Sequence, residues 1–179
     1  MQKFVLYASF FTTLLLTAGS VQATTATTSI PVTATVSPVC TVSTTAALAF
    51  AVYDPININA VAALQATGAI SVACSKGSSG VTIGLDSGAH VSGVQRQMIG
   101  GTSTNLLSYN IYQPTTNAAS SVCTFPGTIL WTNSGAGMLT IPSAPAKTAR
   151  TFNVCGMIPG GQDVSADNYN DTVTATINF

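Results

Sequence analysis

The stretch "DTVTATINF" (residues 171–179) ends the sequence and indicates its fold class. Apolar residues alternate with small polar ones, and a period of two residues is typical of a half-buried β-strand. One face of this predicted strand carries Val173, Ala175, Ile177 and Phe179. Near the start, "SIPVTATVSPVC" (residues 29–40) repeats the letters VTAT and the same alternation. One face of this second predicted strand carries Ile30, Val32, Ala34 and Val36.

Between these two stretches the pattern also has a period of two. Short alternating segments are separated by turns rich in Gly, Pro, Ser and Asn, which is typical of an all-β sandwich. A single short helical candidate, residues 59–68, interrupts this pattern. We expect strands within residues 70–74, 81–86, 106–113, 128–132, 138–142 and 150–158.

The first 23 residues have the pattern of a secretory signal peptide. Lys3 supplies a positive start, an apolar run follows from Phe4 to Leu16, and Val21 and Ala23 stand at the −3 and −1 positions. An uncleaved membrane anchor is the alternative, but the apolar run is shorter than the roughly 20 residues of a spanning helix. We therefore expect cleavage after Ala23, export, and no stable membrane insertion afterwards.

The composition beyond this segment is poor in charge. Charged residues form 6% of the chain and glutamate is absent, so no basic surface is available to attract nucleic acid. A free monomer usually carries more surface charge to stay soluble. The composition instead suits a protein whose surface is covered by other copies of the same chain.

Four cysteines follow the predicted signal peptide. An even number in an exported chain indicates two disulfides, and three connectivities are open. A zinc site is the alternative, but the chain lacks C-x-x-C spacing and has one histidine, so we predict no metal and no cofactor. The cysteines are Cys40, Cys74, Cys123 and Cys155.

Catalysis and calcium binding are both disfavoured. Asp86, His90 and the many serines supply the residue types of a hydrolytic triad, but a lone histidine in "DSGAH" is typical of a loop. Asp163, Asp167 and Asp171 lack the alternating oxygen ligands of calcium loops, which favours solvated carboxylates. We predict no catalytic residue, and we expect Trp131 in the core.

The two ends of the chain allow two interpretations. Both can pair within one molecule, as strands of a complete sandwich. Alternatively, the N-terminal strand of one molecule adds to the sheet of the next, with main-chain bonds giving affinity and alternate side chains filling pockets. Pro31 cannot donate a ladder hydrogen bond, which favours an edge or added strand. Such a contact is head-to-tail, so it propagates into a filament.

The sequence resembles the spore coat U domain family, which includes major pilins of archaic chaperone–usher pili. The resemblance covers nearly all of the chain after the predicted signal peptide. Tyr169 and Asp171 form the closing Tyr-x-Asp, although a family-typical glycine before it is replaced. The resemblance rests on "VTATVSPVCTV", "LAFAVYDP", "ATGAISVAC", "VTIGLDSGAH", "RQM", "LLSYNIYQ" and "GMIPGGQDVSADNYNDTVTATINF".

The resemblance implies an incomplete immunoglobulin-like sandwich completed by a donor strand from another subunit. It implies a donor segment at residues 24–36 and a sandwich domain at residues 37–179. Ile30, Val32, Ala34 and Val36 are then donor residues, and the strand from Val173 to Phe179 borders the acceptor groove. The family's disulfide falls on Cys40 and Cys74, which leaves Cys123 and Cys155 as the second pair.

The implied partners are further copies of the chain in a head-to-tail polymer, a periplasmic chaperone and an outer-membrane usher. The predicted function is that of a structural subunit of a secreted pilus or coat at the cell surface, contributing to adhesion and biofilm formation. A secreted adhesin or lectin-like module is the alternative from another class, and a spore or cyst coat component is the alternative within the structural class.

Overall fold

A computed structural model describes residues 22–179. It divides the chain between Thr35 and Val36. Residues 22–35 have no regular secondary structure and are exposed, so the strand predicted from Ile30 onward is not formed. Within residues 22–179, no helix has the length and apolar character needed to cross a membrane.

Residues 36–179 form an all-β unit, which confirms the predicted fold class. Two short 3₁₀ helices, Ile58–Ala60 and Gly135–Gly137, interrupt the strands. The strands are β1 (Cys40–Ala46), β2 (Leu64–Cys74), β3 (Thr82–Leu85), β4 (Val91–Ser92), β5 (Gln95–Gly100), β6 (Leu106–Tyr112), β7 (Leu139–Thr140), β8 (Arg150–Ile158), β9 (Tyr169–Asn170) and β10 (Ala175–Asn178).

The strands form a large and a small antiparallel sheet. The large sheet has the order β1-β2-β8-β6-β5-β4, and β9 pairs with β5. The small sheet has the order β10-β3-β7. The alternation predicted from the sequence is clearest in β2, where Ile70, Val72 and Cys74 are buried and the intervening residues are half-buried. Successive side chains of a strand point to opposite faces, so one face of β2 lies in the core.

The core is made of buried apolar side chains. Trp131 is fully buried, as expected, and its indole N–H donates to the Ile83 carbonyl at 2.8 Å. Burying a large apolar side chain contributes about 1.5–3 kcal/mol. The other large, fully buried side chains are Phe152, Ile83, Ile111, Leu139, Ile158, Val72 and Val81.

Two local predictions were wrong. Residues 59–68 do not form a helix of their own, because a 3₁₀ helix ends at Ala60 and β2 begins at Leu64. Residues 128–132 do not form a strand, and a single bridge joins Leu130 to Tyr112. Tertiary packing overrides the local pattern at residues 64–68, since nine residues of β2 pair with β8 and hold it in the sheet.

The structure joins the cysteines in sequential pairs. Cys40 and Cys74 stand opposite each other on β1 and β2. Cys123 is bonded to Cys155, which attaches the long loop after β6 to β8. The pairs are separated by 34 and 32 residues, and closing loops of this length stabilises the fold by about 3–4 kcal/mol each on the loop-entropy model.

Candidate functional site: a groove between two sheet edges

The candidate site lies between one edge of each sheet. β1 pairs with β2 alone, and β10 pairs with β3 alone. Within residues 36–179, the second edges of β1 and β10 therefore have no strand partner. An unpaired edge presents a row of N–H and C=O groups that another strand can bind. We call the space between these two edges the edge groove.

The wall formed by β10 is apolar and only half covered. Val173, Ala175 and Ile177 are half-buried and pack against the core, while the threonines between them are exposed. Phe179, predicted on the same face, is 59% exposed. Residues 173–177 thus present three apolar side chains to the edge groove, and Phe179 follows at the end of β10.

The opposite wall comes from β1 and the chain that follows it. Val42 on β1 is half-buried against the core. Residues 47–53, which we call the wall segment, have no regular secondary structure and carry the half-buried Leu48 and Phe50. The Phe50 ring meets the Tyr109 ring edge to face, with the ring centroids 6.4 Å apart.

Two glycines allow the wall segment to lie close to the large sheet. A Cβ at Gly156 would lie 2.6 Å from a methyl carbon of Leu48 and 2.8 Å from the ring of Phe50. A Cβ at Gly68 would lie 3.0 Å from the backbone nitrogen of Leu48. The missing Cβ atoms at these two glycines thus let the segment cross β2 and β8 at close range.

Cavities follow the edge groove from one end to the other. A cavity of about 280 Å³ lies between β1 and the residues that lead into β10. A second cavity of about 790 Å³ continues beneath the wall segment and shares Leu48, Phe50 and Met98 with the first. A third of about 330 Å³ lies at the opposite end, beside Val36 and Phe179. The groove is thus a row of partly filled spaces that are lined by apolar side chains around Leu48 and Phe50 and by more polar residues beside Lys76.

A buried carboxylate fixes the chain just before β10. The side chain of Asp171 is 2% exposed and accepts a hydrogen bond of 2.6 Å from the Tyr109 hydroxyl. It also accepts backbone bonds from Ala89 at 2.9 Å and His90 at 3.2 Å, and the His90 Nδ1 lies 3.4 Å away. Burial, together with the bond to Asp171, raises the pKa of Tyr109, which keeps the phenol a neutral donor.

A buried guanidinium completes this polar network. Arg96 on β5 is 6% exposed and donates to the carbonyls of Leu85, Asp86 and Trp131. Burial lowers the pKa of Arg96, but a guanidinium stays charged in proteins. Asp86 in turn accepts the backbone N–H of Thr174 at 2.9 Å. These bonds tie the large sheet to the small one and set the position of the β10 edge.

The structure corrects the interpretation of the aspartates. Asp171 is a buried acceptor and not a solvated loop carboxylate. Asp167 is half-buried and accepts the backbone N–H groups of Thr102 and Ser103 at 2.8 and 2.6 Å. Asp163 is exposed, as expected.

Sequence reasoning missed one wall of the edge groove. Leu48 and Phe50 alternate within "LAFAV", a pattern typical of a strand, but no role was predicted for them. The partners of Asp171 were also missed, because Tyr109 and His90 are 62 and 81 residues away in the chain. The predicted donor residues lie in or next to the exposed N-terminal segment: Ile30, Val32, Ala34 and Val36. All but the last two residues of the predicted signal peptide lie outside the described residues.

Two packed sheets with an apolar groove between two unpaired edges define an all-β sandwich whose sheets are incomplete along that groove. A matching solved structure is the CsuC–CsuE chaperone–tip adhesion subunit pre-assembly complex from archaic chaperone–usher Csu pili of Acinetobacter baumannii. The TM-score is 0.54 at 21% identity, over 81% of this chain and 41% of that chain. The chain thus spans less than half the length of that chain, and the likeness establishes the fold.

Sequence comparison identifies the family. The spore coat protein U domain matches residues 26–176, and the chain belongs to this family. Protein U of Myxococcus xanthus is 33% identical over 169 residues, which cover 88% of this chain and 87% of that protein. Family and fold together identify a structural protein of the pilus or coat type.

Proposed function

We propose that the chain is a secreted subunit that polymerises by donating its N-terminal strand to the edge groove of the next copy. The observation that carries this proposal is the pair of unpaired edges of β1 and β10, with half-buried Val173, Ala175 and Ile177 along the second. Residues 24–36 supply a strand of matching character, since Ile30 and Val32 are 80% and 91% exposed. Both surfaces are apolar, and each lacks a partner within residues 22–179.

Main-chain hydrogen bonds must contribute a large part of the affinity. Ordering the seven residues 30–36 costs about 1–2 kcal/mol per residue, and burying Ile30, Val32 and Val36 returns about 1.5–3 kcal/mol each. The ordering cost, about 7–14 kcal/mol in all, exceeds the return of about 4.5–9 kcal/mol. A donor strand that bonds to both β1 and β10 adds a net of about 0.5–1.5 kcal/mol for each hydrogen bond. The two open edges therefore matter as much as the apolar floor.

The edge groove must open to accept a strand. At their closest, Cα atoms of β1 and β10 lie within 8 Å of each other. A strand paired on both sides separates its neighbours by about 9.5 Å, which is twice the spacing of adjacent strands. A partner that holds the groove open during export suits this requirement. We propose a periplasmic chaperone in this role and an outer-membrane usher as the site of strand exchange.

We propose that the polymer acts at the cell surface. The signal peptide is cleaved after Ala23, and the polymer is exported to the cell surface. There it acts mechanically and without catalysis, and it contributes to adhesion and biofilm formation. The low charge of the chain supports a surface that is covered by neighbouring copies.

Substitutions on the two faces of the donor strand test the proposal. Val32→Asp in residues 24–179 places a charge on the face that enters the groove, so we expect loss of polymer in size-exclusion chromatography with light scattering. Thr33→Asp is the matched control, since the neighbouring side chain points to the other face. Equal polymerisation of both variants would refute the donor role of this segment.

A variant with a relocated donor segment distinguishes completion by a neighbouring copy from completion within one molecule. Moving residues 24–36 behind Phe179 through a flexible linker lets each molecule fill its own groove. We expect a monomer with a higher Tm than residues 24–179 kept dilute. An unchanged Tm in this monomer would mean that the sandwich is complete by itself, and a secreted adhesin or lectin-like module would then be the better account.

A further inference from the structure

The charged side chains at the surface of the sandwich are separated by sign into its two ends. The first end, which we call the basic end, carries Lys76, Lys147 and Arg150. Lys76 lies in the turn after β2, and the next residue, Gly77, donates its N–H to the Ala144 carbonyl at 2.8 Å. This bond holds the turn against the loop that carries Lys147 and leads to Arg150, the first residue of β8.

The other end, which we call the acidic end, carries Asp54, Asp163 and Asp167. Asp167 binds the turn between β5 and β6, and the loop containing Asp163 follows the last residue of β8. Asp54 lies at the same end. Its carbonyl accepts the backbone N–H of Asn59, and the Asn59 carbonyl accepts the backbone N–H of Gly161, which follows β8. The nine residues of β8 separate the two ends by roughly 30 Å.

Neither end is neutralised within the described part of the chain. Within residues 22–179, the only basic side chain in contact with a carboxylate is His90, whose Nδ1 lies 3.4 Å from Asp171 between the two ends. Arg96 and Asp86 also lie between the two ends, and the Arg96 guanidinium donates to the Asp86 carbonyl. Lys76, Lys147 and Asp163 are exposed and make no hydrogen bond with the described residues. The hydrogen bonds from the Asn57 side chain and backbone lower the pKa of Asp54, so this carboxylate is ionised at neutral pH.

The donor segment leaves the sandwich at the basic end. Val39 donates its N–H to the Ser75 hydroxyl at 3.1 Å, and Ser75 donates its N–H to the Val39 carbonyl at 2.8 Å. Val36 lines a cavity together with Lys76. The three residues 37–39 that join Val36 to β1 span at most about 10 Å. When Val36 is seated in a neighbour, its own basic end must lie close to that neighbour's groove.

We propose that the basic end of each copy docks on the acidic end of the next copy. This inference rests on the proposed function, because the donor strand brings the two ends together. The donor strand, followed from residue 24 to residue 36, then runs from the neighbour's Phe179 towards the neighbour's acidic end. It is antiparallel to the neighbour's β10. In the opposite direction two basic ends would meet and repel each other. Charge complementarity thus selects one orientation of the strand and speeds encounter between copies.

Assembly rates at different ionic strengths test the docking of the two ends. Polymerisation of residues 24–179 is followed by light scattering at roughly 0.02 M and 0.5 M salt. At the higher salt concentration the electrostatic screening length falls below about 5 Å. We expect the rate to fall at least about tenfold with salt. Lys76→Glu with Lys147→Glu should slow assembly about tenfold at low salt, and salt should then accelerate it. Adding Asp163→Lys to this double variant should restore part of the rate.

Cross-linking of the polymer tests the orientation directly. A carbodiimide joins lysine amines to carboxylates in contact, and a mixture of ¹⁴N and ¹⁵N copies distinguishes links between molecules from links within one. We expect intermolecular links from Lys76 or Lys147 to Asp54, Asp163 or Asp167. Amine-specific cross-links between the Lys76 side chains of two copies would show that basic ends meet and would overturn the inference.

The outcomes separate this inference from the proposed function. Polymers whose rates do not respond to salt or to charge reversal would overturn the docking of the ends and leave strand donation intact. The absence of polymer from every form, including unaltered residues 24–179, would overturn the proposed function and this inference with it. Thermal unfolding of each variant shows that the exposed substitutions preserve the fold.

Discussion

Replacing Tyr109 by Phe should weaken the bond network that positions the β10 edge. The phenol is 3% exposed and donates a bond of 2.6 Å to Asp171, whose side chain is 2% exposed. A hydrogen bond to a buried charged group contributes about 1.5–3 kcal/mol. The backbone bonds from Ala89 and His90 remain, so the fold should survive.

For a domain of this size, each kcal/mol shifts Tm by about 2–4 °C, so Tyr109→Phe should lower Tm by about 3–12 °C. Circular dichroism of residues 24–179 at neutral pH gives this value. Tyr112→Phe is the matched control on the same strand, because the Tyr112 hydroxyl makes no hydrogen bond with the described residues, and its Tm should change by less than about 2 °C. Equal shifts in the two variants would show that the contact with Asp171 does not hold the edge.

Three further perturbations follow from the same structure. Gly156→Ala should displace the wall segment and cost about 1–3 kcal/mol by urea unfolding, while Gly101→Ala, which meets nothing closer than 3.7 Å, should cost less than about 1 kcal/mol. Backbone N–H bonds lower the pKa of Asp167 from 3.8 to about 2, so its stabilising effect is complete above pH 4 or so and is lost as the pH falls towards 2. Asp167→Asn should therefore flatten the acid limb of the stability–pH curve, and an unchanged limb would contradict the assignment. Replacing Cys40 and Cys74 by Ser should lower the free energy of unfolding by about 3–4 kcal/mol, and a smaller loss would mean that the ladder between β1 and β2 suffices.

Local pattern predicted those strands whose two faces differ in environment. In β2 and β8, apolar and polar residues alternate because one face meets the core, so the period is visible in the sequence. The pattern failed for residues 128–132, where Trp131 is anchored by its indole N–H and by its backbone N–H to Ile111 without a continuous ladder. A single anchored side chain leaves no periodic signal.

The two walls of the edge groove show the same limit. Val173, Ala175 and Ile177 could be placed on one face from their spacing, because they are neighbours on one strand. The role of Leu48 and Phe50 could not be predicted, since it depends on Gly68 and Gly156, which come from two other strands.

The sequence by itself predicted the export signal and the N-terminal donor segment, and it determined the all-β class, the even set of cysteines and the alternating pattern of the last strand. These are properties of composition and of neighbours along the chain, where a period of two residues has a direct physical cause. The tertiary structure decided which edges stay open, which groups meet Asp171, and how the few charges divide between the two ends. Those features arise because the pairing of distant strands brings together residues whose separation along the chain carries no information about their distance in space.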